Sequence, residues 1–142
     1  MKTIKGSSLA RNVMLIMAVA AMAFTFNSCA KKISFVTSAI TPAARGNITI
    51  KTDKNKNNVI TLNITFLSEP ERLTPPKKTY VAWLLTKDGE TQNIGQIVTS
   101  SGLKVSFQTV SSFKPKKIFI TAEDDGDLVY PASDIILTTR EL

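Results

Sequence analysis

Two sets of side chains in this 142-residue chain could carry chemistry: a single thiol and one acidic run. Cys29 is the only cysteine, and there is no histidine anywhere. A second sulfur is therefore lacking for an intrachain disulfide, and nucleophile–imidazole pairs and triads are excluded. Serine and lysine are abundant, yet no local motif singles out a Ser-Lys dyad. The acidic run is Glu123, Asp124, Asp125 and Asp127 around Gly126. A glycosidase needs two carboxylates held at a set separation across a cleft, whereas four acids in one turn read as a solvated hairpin loop. Their oxygens also suit a hard cation, which makes Asp124, Asp125 and Asp127 a calcium candidate. The alternating acids and distant closing glutamate of an EF-hand loop are absent, however. A plain Asp-Gly turn accounts for the same residues, so no catalytic residue, no cofactor and no resident metal is expected.

The thiol has a different context. Val13–Phe26 is an apolar run preceded by Lys2, Lys5 and Arg11 and broken at Asn27. A basic start and an apolar stretch of this length form a secretory leader; a spanning helix needs about twenty apolar residues. Phe26-Asn27-Ser28-Cys29 resembles a bacterial lipobox, with small Ser28 before the cysteine but Phe26 and Asn27 where leucine and a small residue are usual. The resemblance implies a leader over residues 1–28, cleaved before Cys29, and fatty acylation (palmitate-type) of Cys29. Two or more acyl chains anchor a protein stably where one does not. The residues that follow, Lys31 and Lys32, are basic and carry no acidic export signal. The expected location is the cell envelope, on an outer membrane and facing the periplasm.

Residues 29–142 have the size of one domain and enough chain for one core. The leader holds three basic residues and no acid, so the remainder carries +4 where the whole chain carries +7. Nucleic acid is not an expected partner for an exported domain of that charge. The expected partners are the membrane, through the N-terminal lipid, and a protein or envelope polymer. Lys114, Lys116 and Lys117 are candidate contacts for an anionic surface, although lysines of this kind also serve to solvate loops and blunt strand edges.

The elements that must position these residues are strands. Ala30–Ala44 reads as a lipidated tether (residues 29–45) that donates an edge strand through Ile33–Val36. From residue 46 onward apolar and polar residues alternate. Ile48 and Ile50 form one half-buried strand, and Ile60, Leu62, Ile64 and Phe66 form the clearest one. Asp53–Asn58 between them is a turn. Ser68–Lys78, with Pro70, Pro75 and Pro76, is a connection between sheets. Thr79–Thr86 is apolar on both faces, which places it centrally and makes Trp83 a core residue. Lys87–Glu90 supplies an Asp-Gly hairpin turn. Gln92–Val98 contains Gly95, the mark of a bulge or close backbone contact. Turn Ser100–Gly102, then Leu103–Gln108, Ile118–Glu123 and Asp134–Thr139 complete the set. Tyr130, beside Pro131, is the aromatic expected at the surface. The count and spacing predict an all-β fold: an immunoglobulin-like antiparallel β-sandwich of about seven to eight strands over residues 46–142, after a cleaved signal helix.

Two segments together resemble the extracytoplasmic C-terminal domain of anti-sigma-K factors. Tyr80-Val81-Ala82-Trp83-Leu84-Leu85 followed by Asn93-Ile94-Gly95 is similar to its Tyr-x-x-Trp-Leu…Gly pattern. Ile120-Thr121-Ala122-Glu123 with Gly126 and Pro131 is similar to its closing Val-Thr-x-Glu…Gly…Pro. The likeness covers residues 48–137 and implies a small β-sandwich without catalytic residues and with a sensing or contact role. The family's spanning helix and cytoplasmic sigma-binding part have no counterpart here, so sigma-factor binding does not carry over. What remains is a non-catalytic binding or scaffolding module; an accessory sensor related to those ectodomains is the alternative.

Overall fold

The structure is a computed structural model describing Asn12 and residues 30–99 and 104–142. The rest of the expected leader, Cys29, the expected turn Ser100–Gly102 and Leu103 lie outside the described residues. Among the described residues eight strands follow one another: β1 (Lys31–Val36), β2 (Arg45–Thr52), β3 (Asn58–Thr65), β4 (Thr79–Thr86), β5 (Thr91–Ile97), β6 (Lys104–Ser111), β7 (Pro115–Glu123) and β8 (Ile135–Thr139). All pairings are antiparallel, in the order β5-β4-β7-β8-β1-β2-β3-β6.

The ladder folds over on itself at β1. Lys31–Ser34 pair with β2, while Phe35 and Val36 pair with Thr139 and Thr138 of β8. One strand thus belongs to two layers, β1-β2-β3-β6 and β5-β4-β7-β8, whose inner faces enclose the core in a nearly closed sandwich. The expectation of a tether with an edge strand is corrected here: β1 lies inside the sheet, between β2 and β8. Ile33 and Phe35 are half-buried, and Phe35 packs on the core.

Period-2 alternation places the core. Ile48, Ile60, Leu62 and Ile64 from one layer meet Tyr80, Ala82, Leu84, Ile118, Ile120 and Leu137 from the other. Thr61, Asn63 and Thr65 line the outer face of β3. Phe66 departs from the predicted alternation. The strand ends at Thr65, Phe66 turns the chain with φ +58°, and it is exposed while Leu67 is buried instead. In the β2–β3 turn, one Asp53 oxygen accepts the backbone N–H groups of Asn55 and Asn57, each at 2.8 Å. The proline-rich connection crosses from one layer to the other, as the sequence predicts, and includes a short 3-10 turn at Pro70–Arg72.

Gly95 serves both roles that its position in a strand suggests. The β4–β5 register slips there: Ala82 faces Gly95 and Trp83 faces Asn93, leaving Ile94 as the extra residue. Its φ is +132°, and a Cβ would stand 2.8 Å from the Phe107 ring of β6. End strands β5 and β6 can approach across the open side only because no side chain stands between them.

Gly95→Ala should therefore destabilise the protein by about 1–3 kcal/mol, the cost of a strained backbone with a ring displaced; urea unfolding measures it. Tyr80 gives a pH test. It is fully buried and its hydroxyl donates to the Ser68 carbonyl at 2.8 Å. Burial first, and the negative charge of Glu71 second, push its pKa from 10.0 up to about 12. The unfolded chain then loses this proton first. The resulting contribution is whole below pH 10 and falls as pH rises from 10 toward about 12. Stability measured across that window should decline more steeply in the native protein than in Tyr80→Phe.

Candidate functional site

The outer face of the β4–β7 pair would be an apolar patch if it met water. Val81, Trp83 and Phe119 lie on it, with Leu85 beside them. Trp83 and Phe119 are opposite one another across the strands, their rings stacked at 6.4 Å and 17°. The chain between β7 and β8 folds back over this face and lays Leu128 on it. Trp83 is buried, as its strand predicts, but beneath this segment and outside the core shared by the two layers.

A chain of hydrogen bonds holds the segment down. The Trp83 indole N–H donates to Thr121 Oγ1 at 2.8 Å, and that hydroxyl donates to Glu123 Oε1 at 2.7 Å. The same oxygen accepts the backbone N–H groups of Ala132 (3.1 Å) and Ser133 (3.2 Å), while Oε2 accepts the Ser133 hydroxyl at 2.9 Å. Phe119, Thr121 and Glu123 share one face of β7 by alternation. On the other flank, the Asn93 amide of β5 donates to the carbonyls of Gly126 (3.0 Å) and Leu128 (2.8 Å). A Cβ on Gly126 would come within 2.7 Å of Gln96 Oε1, so the segment runs hard against β5.

Glu123 thus differs from the solvated loop acid that the sequence suggests: it is 1% exposed. The other acids are turned outward. Asp124 pairs with Lys77 at 3.0 Å, and Asp125 Oδ1 accepts the Asp127 N–H at 2.9 Å in a local turn. Among the described residues no group of three or more acidic, cysteine or histidine side chains is placed to hold a metal ion.

With the segment fixed, a groove of about 700 Å³ opens between β5, the end of β6 and residues 126–130. Ile94, Thr109, Val110, Phe113 and Tyr130 are among its lining residues. Tyr130 is 71% exposed, as its sequence position predicts, and Val129, Val110 and Phe113 are exposed with it. Among the described residues strands β5 and β6 are the two ends of the sheet, so each keeps a row of backbone N–H and C=O groups outside the ladder. Asp127 and Tyr130 are the ionisable side chains of the lining. Chemically the groove offers apolar contact and backbone hydrogen bonding, the two needs of an extended polypeptide.

The candidate lysines are partly drawn into this region. Lys114 is exposed directly after Phe113, at the foot of the groove. Lys116 instead bridges to Glu141 at 3.2 Å, and Lys117 lies in β7 opposite Leu85.

Glu123→Ala should cost about 2–4 kcal/mol, because several buried donors lose their acceptor at once. It should also lift the segment from Trp83, the only tryptophan. A blue-shifted, quencher-resistant emission in the native protein should become red-shifted and quenchable in the variant before global unfolding.

No protein-family model matches the chain, and neither a curated protein nor a solved structure matches it.

Proposed function

We propose that the protein is a lipid-anchored module of the cell envelope that binds an extended segment of a partner protein without catalysis. The groove between the two unpaired end strands carries this reading, with Val110, Phe113, Val129 and Tyr130 exposed in or beside it. Monomeric surfaces seldom gather apolar side chains around free backbone edges unless something docks there. The anchor is read from the apolar leader run and Cys29, and an outer membrane facing the periplasm is the location that fits it.

A second reading, an accessory sensor akin to anti-sigma ectodomains, is favoured by one arrangement. Trp83, Thr121 and Glu123, which carry that resemblance, are joined by hydrogen bonds to each other and to the segment after Gly126. Their job in the fold is to set one wall of the groove.

Two measurements test the proposal. Cys29→Ala should lose the acyl mass and move from the membrane to the soluble fraction. A photo-crosslinking residue at Tyr130 should give a discrete adduct in intact cells, and one at Lys104, away from the groove, should not. Val110→Ser with Phe113→Ser should lower the yield about tenfold, as expected when central contacts of an interface are removed. Equal yields at both sites would leave the groove without its partner.

A further inference from the structure

The two ends of the sandwich differ in charge, and the chain enters at the basic one. Register fixes which loops share that end. Lys31 opens β1 opposite Ile50, and Asn58 at the foot of β3 faces Ser111 at the end of β6. The Asn58 amide donates to the Phe113 carbonyl at 2.9 Å, joining the β2–β3 and β6–β7 turns. Thr86 of β4 faces Pro115 of β7, which brings the β4–β5 hairpin to the same end. The Leu142 N–H donates to the Lys116 carbonyl at 2.8 Å, so the C-terminus lies there too.

Among the described residues this end gathers Lys31, Lys51, Lys54, Lys56, Lys87, Lys114, Lys116, Lys117 and Arg140 against Asp53, Asp88, Glu90 and Glu141, of which Lys116 and Glu141 are paired with each other. Exposed Phe113 sits in its midst. The opposite end, where β3 leaves for β4 and β7 leaves for β8, carries Glu69, Glu71, Asp124, Asp125 and Asp134. Five basic residues share that end (Arg45, Arg72, Lys77, Lys78 and Lys104), and two of them are paired with its acids: Arg72 with Glu69 and Lys77 with Asp124.

We infer that the basic end rests on anionic phospholipid headgroups, holding the sandwich end-on to the bilayer. The inference builds on acylation of Cys29, and the position of β1 supplies the geometry. Because β1 begins at Lys31, only Ala30 stands between the anchor residue and the folded domain, a reach of about 7 Å. That is within the screening length of about 8 Å at physiological ionic strength. A domain on so short a leash cannot turn its basic end far from the surface. Lysines next to an anionic leaflet are attracted to it and add to the acyl anchor.

The test uses the full chain, processed and purified, in vesicles of phosphatidylcholine alone or with about a third phosphatidylglycerol. Amine acetylation is read by mass spectrometry at Lys54, Lys56, Lys114 and Lys117, with Lys78 and Lys104 of the far end as internal references. Reactivity of the first four relative to the references should fall about fivefold in the anionic vesicles and recover in high salt. An unchanged ratio between the two vesicle types overturns the inference. The intact mass of the same preparation reports acylation of Cys29 separately, so failure of the anchor is distinguished from failure of the orientation.

Discussion

The carboxylate of Glu123 decides which faces of this molecule are dry. A buried acid is tolerable only when its oxygens are satisfied. Here four donors meet it: two hydroxyls, from Thr121 and Ser133, and two backbone amides, from Ala132 and Ser133. Two of the three residues involved lie beyond the acidic turn, so the bonds close a loop of backbone onto the sheet. Without that closure Val81, Trp83 and Phe119 would form an exposed apolar stripe on a sheet whose other face already carries the core. The polar network is what lets β4 be apolar on both sides.

The same closure builds the groove. Residues 126–130 form one wall because Glu123 holds the far stem of the segment and Asn93 holds its middle. Asn93 sits beside the β5 bulge, where its side chain also accepts the Gly95 N–H at 2.9 Å. The irregularity that lets Phe107 approach Gly95 and the amide that fixes the segment therefore come from neighbouring residues. Groove and fold share these bonds, so the groove's shape is set by the same contacts that hold the sheet together.

Much of the architecture is legible in the sequence, for local reasons. Alternation in Ile60–Ile64, two-sided apolarity in Thr79–Thr86 and turn chemistry at Asp53 are each decided within a few residues. Tyr130 beside Pro131 is likewise exposed as predicted. What escapes are decisions made across the sheet. Phe66 continues the period of β3 in sequence, yet the turn into the crossover takes a positive φ and throws it outward. Ile33–Val36 is too short and too polar-flanked to read as an interior strand. It becomes one because β2 claims its first half and β8 its second. Glu123 reads as the head of an acidic turn, and only its place on β7 beside Thr121, under residues from the following loop, makes it a buried acceptor. A hint was available: Phe119, Thr121 and Glu123 alternate with the core-facing Ile118, Ile120 and Ala122, so the acid had to share a face with an aromatic.

The position of β1 ties the fold to the way the chain is held. An intrachain disulfide is excluded in a chain with one cysteine, so the two layers must be joined by ladder bonds and the core. β1 supplies the join by pairing with β2 at its start and with β8 at its end. The first strand after Cys29 is therefore an interior one. Any load or restraint applied through that residue runs along β1 into both layers at once, where hydrogen bonds on its two sides resist together. An edge strand in the same place could be peeled away one bond at a time and would leave the domain free to swing. With an interior strand, a restraint applied at the start of β1 is passed to both layers together, and the asymmetry of charge between the two ends of the sandwich keeps a fixed direction relative to that point.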